Sequence, residues 1–140
     1  MKRKTKTIAA ITNDAATLLQ RLVRLKASDE NGYCSCVTCG VSKHFSEMQG
    51  GHFIERGKSF SKLLEENIHP QCPHCNAFGM KNTSTVLAYR RYMIETYGDE
   101  FVNELEEMAR ENAPFKRNKL EIEGMIQDFK AQIKNQESRF

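Results

Sequence analysis

The chain has 140 residues, 39% of them hydrophobic, 28% charged and 9% aromatic, with no tryptophan and a mean hydropathy of −0.61. That length suits one domain with one modest core, and the longest apolar runs are only a few residues, which excludes a membrane-spanning helix. The net charge of +3 is unevenly spread: Lys2, Arg3, Lys4, Lys6, Arg21, Arg24 and Lys26 precede position 27 against a single acid, Asp14.

Residues 1–32 read as a basic arm followed by a helix. The arm suits phosphate contacts and counterion release, and suits a solvated tail equally well. Residues 13–28 predict an amphipathic helix capped by Thr12 or Asn13, with Leu18, Leu19, Leu22, Val23 and Leu25 on its apolar face. The string DENG stops it, with Gly32 as the turn residue.

Residues 33–83 differ in kind. Positions 33–82 hold all five cysteines, all four histidines and five of the eight glycines. Periodicity is weak there, and the pattern predicts only short strands around Met48–Ile54 and a knuckle at each cysteine pair. No secretory signal is read at the start, so the expectation is a cytoplasmic protein in which disulfides do not persist. Its cysteines then call for a metal or a catalytic role.

Cys36-Val-Thr-Cys39-Gly40 and Cys72-Pro-His-Cys75 are two CxxC units with 32 residues between them. Two-residue spacing lets both thiolates of a knuckle reach one tetrahedral ion, and four thiolates close the shell of a structural zinc. The competing reading is two unrelated buried or redox pairs, but a redox CxxC expects a βαβ setting and none is visible. Cys34 fits the ligand set poorly and reads as a buried or free thiol. His44 and His74 are left outside the ligand set.

Residues 84–140 return to helical pattern. Helices are predicted over 84–97, ended by Gly98, over 99–110, and over 117–135, with Pro114 closing the second. The last carries Ile122, Met125, Ile126, Phe129 and Ile133 at three- and four-residue steps. That stripe can pack on its own chain or pair two chains as a homodimer.

The stretch GGHFIERG, residues 50–57, is inserted between the knuckles. A lone histidine in a half-apolar strand is often structural. His52, however, follows two glycines that leave its approach open to a bulky substrate, and Asn67 and Asn76 flank the second knuckle. Phosphodiester hydrolysis needs a base, a divalent cation and something to fix the base's tautomer. His52 can be the base, with a backbone carbonyl across the hairpin to orient it. The Asn76 amide oxygen can help hold Mg²⁺ or Mn²⁺. Arg56 reads as a phosphate clamp, and Lys58, Lys62 and Lys81 either line the same DNA groove or are merely solvated.

The strings CVTCG, GGHFIERG and ENIHPQCPHCN closely resemble the NinG (Rap) recombination proteins of lambdoid phages, within the HNH or His-Me finger nucleases. The resemblance runs from about Tyr33 to the C terminus. It implies a ββα-metal fold, a β-hairpin and a helix flanked by zinc knuckles; with the helices read from periodicity, the expected fold is α+β, a zinc-stapled ββα-metal core between the knuckles with an N-terminal helix and about three C-terminal helices. It implies His52 as general base, Asn67 as the brace of the loop between hairpin and helix, and Asn76 as a ligand of the catalytic ion. Gly51 departs from the family's usual metal-binding Asp. His69, in the string IHPQC, is the expected replacement ligand, with Glu47, Glu55 and Glu65 as weaker ones. The implied activity is an Mg²⁺- or Mn²⁺-dependent DNA endonuclease acting on branched recombination intermediates, such as D-loops and four-way junctions, in the bacterial host cytoplasm. A non-catalytic zinc-dependent DNA-binding module and a protein-interaction domain are the alternatives.

Overall fold

Helix α1 spans Ile8–Lys26, starting earlier than the sequence pattern predicts. Thr7 is its cap, its hydroxyl accepting from the Ala10 N–H at 3.1 Å. Thr12, expected to cap, lies inside the helix and donates back to the Ile8 carbonyl. Ile8 and Ile11 extend the apolar stripe by a turn. The computed structural model describes residues 5–112 and 115–140; the predicted terminator Pro114 and the basic Lys2, Arg3 and Lys4 lie outside the described residues.

Two short antiparallel hairpins follow. Strand β1, Tyr33–Ser35, pairs with β2, Ser42–His44, in the register Tyr33 to His44. Their loop is the first cysteine knuckle, turned at Gly40, whose φ of 80° favours glycine. Strand β3, Gln49–His52, pairs with β4, Ile68–Gln71, with His52 opposite Ile68 and Gly51 opposite His69. The long connection between them contains the four-residue helix α2, Ser59–Lys62, and a 3-10 turn, Glu65–Asn67. Strand β4 runs into Cys72, which caps helix α3, Pro73–Ala77. Thus β3, β4 and α3 form a ββα unit.

Three further helices cover this unit. Helix α4, Thr83–Tyr97, is capped by Asn82 and joined to α5, Asp99–Glu111, through Gly98 at φ 90°. Arg90 on α4 grips Glu106 on α5 through Nε and Nη2 at 2.9–3.2 Å. Tyr89, Met93, Val102 and Leu105 share a core with Phe53, Ile54 and Phe60 of the β3–β4 connection. Helix α6, Lys119–Glu137, is capped by Asn118. It lies parallel to α1: Ile122 near its start shares a cavity with Ile8, and Arg139 past its end donates to the Leu25 and Ser28 carbonyls.

The apolar stripe of α6 is used within the chain. Ile122, Phe129 and Ile133 are buried with Leu19, Leu22 and Leu25 of α1, together with Leu63 and Ile68. That core therefore draws on residues from all three sequence segments. Among the described residues, no helix is long and apolar enough to cross a membrane.

Several described basic residues of the N-terminal segment have partners within the chain. Lys6 pairs with Asp14, Arg21 with Glu137 and Lys26 with Glu65, all partly exposed and each worth little to stability. Arg24 is half-buried and donates to the Phe45 and Met48 carbonyls at 3.1 and 2.9 Å. It ties α1 to the segment entering β3.

Candidate functional site

The four knuckle cysteines converge. The Sγ atoms of Cys36, Cys39, Cys72 and Cys75 all lie within 4.8 Å of one another, and Cys39 and Cys72 sulfurs are 3.8 Å apart. A tetrahedral ion with bonds of about 2.3 Å requires sulfur–sulfur edges of about 3.8 Å. The donor set therefore fits a structural zinc. The knuckles are locked by backbone: Gly40 N–H donates to the Cys36 carbonyl and Cys75 N–H to Cys72 Sγ. Val37 N–H, donating to the Pro70 carbonyl, ties the first knuckle to β4. Burial opposes ionisation of Cys36, but hydrogen bonds from Thr38 and from backbone amides outweigh it and bring the thiol down to about 6. Burial instead pushes Cys75 up to about 12. Four sulfurs this close need a cation between them before all can carry charge. Cys34 is buried beside the cluster and outside it.

Beside this staple, β3 delivers His52. Its ring is 7% exposed and its Nε2 lies 3.1 Å from the Lys62 carbonyl oxygen. A carbonyl only accepts, so Nε2 carries the proton and Nδ1 keeps the lone pair. A carbonyl orients the imidazole as expected, but it comes from the end of α2 and not from across the hairpin. Burial, with Arg56 and Lys62 nearby, lowers His52 to about 4 against the Lys62 carbonyl's opposing pull. The ring is neutral at pH 7.

Asn67 is fully buried and holds the loop that follows His52. Its Oδ1 accepts from the Ile54 N–H at 2.8 Å, and its Nδ2 donates to the Ile54 and Ser61 carbonyls at 3.0 and 3.2 Å. It thus closes a thirteen-residue span between β3 and β4 and touches backbone alone.

Asn76, on α3, donates through Nδ2 to Gln49 Oε1 at 2.8 Å, which leaves its Oδ1 for a cation. His52 and Asn76 line one cavity of about 310 Å³ with Gln20, Glu55 and Arg56. Glu55 is thereby brought to the predicted pair. Gln20 was not foreseen, because nothing in the sequence shows that α1 crosses β3. Glu65 is elsewhere, paired with Lys26, and Glu47 is exposed in the 3-10 turn after β2.

Two readings need correction. His69 does not join His52. It lies in a separate cavity, with Nδ1 3.2 Å from the Tyr89 hydroxyl and Nε2 2.8 Å from the Tyr97 hydroxyl. Neighbouring strand residues face opposite sides; Ile68, paired with His52, packs on α1, and His69 turns to the tyrosines. Nor does Gly51 clear a substrate path, and Gly50, which lines the His52 cavity, also lies close against α1. A Cβ on Gly50 would sit 2.7 Å from Gln20 Cβ, and one on Gly51 would sit 1.7 Å from Gln71 Oε1. The glycines are needed for close packing.

The predicted DNA-contacting side chains spread over a wider surface. Arg56 is exposed and lines the His52 cavity. Lys62 reaches Asn13 Oδ1 at 2.6 Å, and Lys58 reaches Asn112 Oδ1 at 3.3 Å. Lys81 is exposed in the 3-10 turn before α4, and His74 is exposed on α3.

Fold and site define a small α+β protein whose ββα unit is stapled by four cysteine sulfurs. The chain belongs to the bacteriophage lambda NinG family, whose model matches residues 1–138. The match includes the basic arm and α1, which the resemblance read from Tyr33 onward left out. Comparisons with curated proteins and with solved structures give no match.

Proposed function

We propose that the protein is a metal-dependent DNA endonuclease of the HNH type, acting on branched intermediates of phage recombination in the host cytoplasm. The observation that carries this reading is the His52–Lys62 hydrogen bond. It fixes the tautomer a general base needs, in a cavity that also holds an amide oxygen and a guanidinium. Nδ1 of His52 takes a proton from water as the water oxygen bonds to phosphorus. The bond from phosphorus to the leaving sugar oxygen breaks, and that oxygen is protonated by solvent. Arg56 offsets the phosphate charge. That phosphate in turn offsets Arg56 and Lys62 and raises His52 from about 4 toward its ordinary range.

The Asn76 amide oxygen and the Glu55 carboxylate are the donors for Mg²⁺ or Mn²⁺, with Gln20 within the same cavity. The ion would supply Lewis-acid stabilisation of charge on the phosphate and the leaving oxygen. Among the described residues, the cysteine cluster is the group of three or more Cys, His, Asp or Glu ligands that converges. Water and DNA phosphate would supply most of the remaining ligands of such an ion, as suits Mg²⁺.

The second reading, a zinc-dependent DNA-binding module, draws on Gly51, where Gln71 fills the space of a metal-binding side chain. A panel of plasmid, D-loop and four-way-junction DNA incubated with Mg²⁺ or Mn²⁺ separates the two. Metal-stimulated nicking, strongest on the branched forms, is expected. DNA binding with no nicking under either ion would favour the binding module.

A further inference from the structure

A second cavity, of about 620 Å³, lies where the N-terminal end of α1, the α2 segment and the chain entering α6 meet. Ile8, Ala9, Leu63 and Ile122 contribute its apolar lining, and Arg56, Lys62, Lys116 and Arg117 its charge. Among the described residues, no acidic one lines it. Phe115 is on its wall, 43% exposed, with the Arg117 guanidinium carbon 4.5 Å from the ring centroid. Arg56 also lines the His52 cavity, so the two hollows adjoin at one guanidinium.

An apolar slot with an aromatic wall and cationic side chains at its rim matches the two halves of a nucleotide. The base has a π-face and the phosphate a charge, and such a combination accepts unpaired strands with little sequence preference. A stacked duplex presents phosphates but buries its base faces. We propose that this cavity takes an unpaired nucleotide of single-stranded DNA, adjoining the phosphodiester held at His52. Phe115 stacks on the base, with Arg117 behind it as a cation–π partner. Lys62, Lys116 and Arg56 take the flanking phosphates. This rests on the nuclease reading for its position in a reaction, and gives that enzyme a physical reason to prefer DNA with unpaired bases over plain duplex.

Binding can be measured without cleavage, which separates this inference from the nuclease reading. The probe is a single-stranded DNA oligonucleotide of about 12 nucleotides carrying a fluorescent purine analogue, compared with the blunt duplex of the same sequence, with zinc-loaded full-length protein and no added divalent ion. The wild type is expected to bind the single strand tighter than the duplex and to quench the analogue. Phe115→Leu should weaken single-strand binding about tenfold and remove the quench, while Phe115→Tyr restores both. Lys116→Gln should lower the salt slope of single-strand binding by about 0.7. Phe115 is exposed enough for these variants to fold, and thermal melts identify them as folded. Unchanged quenching and affinity in Phe115→Leu, or duplex bound as tightly as single strand, overturns the proposal. A Phe115 effect without any cleavage would leave this site standing and sink the nuclease. Cleavage that needs His52 but ignores Phe115 would do the reverse.

Discussion

His52 Nε2 lies 3.1 Å from the carbonyl oxygen of Lys62, and this contact decides which ring nitrogen can act as a base. Lys62 ends a four-residue helix inside the β3–β4 connection. The tautomer of His52 therefore depends on how that connection is held, and Asn67 holds it.

Asn67→Ala should free the loop. It removes the bonds to Ile54 and Ser61 and leaves buried backbone groups without partners, at a cost of about 2–4 kcal/mol. Denaturant unfolding should show that loss. Amide exchange at Phe53 and Ile54 should speed up well before global unfolding. Protection equal to wild type at both amides would contradict the brace.

The cysteine cluster should govern folding. One zinc per chain is expected by elemental analysis, with a contribution on the order of 10 kcal/mol. Chelation, or Cys72→Ser, should unfold both hairpins. Cys34→Ser should keep the full metal content, because Cys34 stands outside the four converging sulfurs. Metal loss in Cys34→Ser at the level of Cys72→Ser would contradict the assignment.

Gly51→Asp should not install a metal ligand. Its Cβ would meet Gln71 Oε1 at 1.7 Å, and Gln71 is fully buried. Gly51→Ala alone should cost about 1–3 kcal/mol through overpacking. Adding Gln71→Ala should recover part of it, since Gln71 Oε1 is buried without a hydrogen-bond partner among the described residues. Additive losses in the double variant would contradict this geometry.

Acid should destabilise the fold through two histidines. His52 and His69 both titrate at about 4 when folded, chiefly because burial disfavours their charged forms. Unfolded, they titrate near 6.5. Between about pH 6.5 and 4 the unfolded chain binds more protons, so stability falls as pH drops through that window and is fully present above it. Each histidine accounts for roughly 3 kcal/mol by pH 4. Urea unfolding from pH 7 to 5, with zinc content followed in parallel, should show a shallower decline for His69→Gln. An identical slope would contradict the burial argument.

What the sequence made legible was local. The CxxC spacing gave the sulfur cluster, because two-residue spacing constrains both ligands of a knuckle. Gly98 ends α4 as read from sequence, and the bounds of α4 and α6 fall within two residues of the predicted ones. Asn67 as a brace came from the family resemblance; its side chain bonds to the backbone of Ile54 and Ser61. The misreadings were tertiary. Nothing local says that α1 lies on Gly50, that β4 turns His69 toward Tyr89 and Tyr97, or that Arg24 donates to the Phe45 and Met48 carbonyls. The string Phe115-Lys116-Arg117 drew no reading from sequence, because only folding carries it to Arg56.

The central claim is that His52 is the base. Its most direct test is the single-turnover nicking rate of zinc-loaded wild type and His52→Ala on four-way-junction DNA with Mn²⁺, at matched DNA occupancy. A fall of at least about 10²-fold is predicted, with affinity for the junction unchanged. Equal rates at equal occupancy would contradict it.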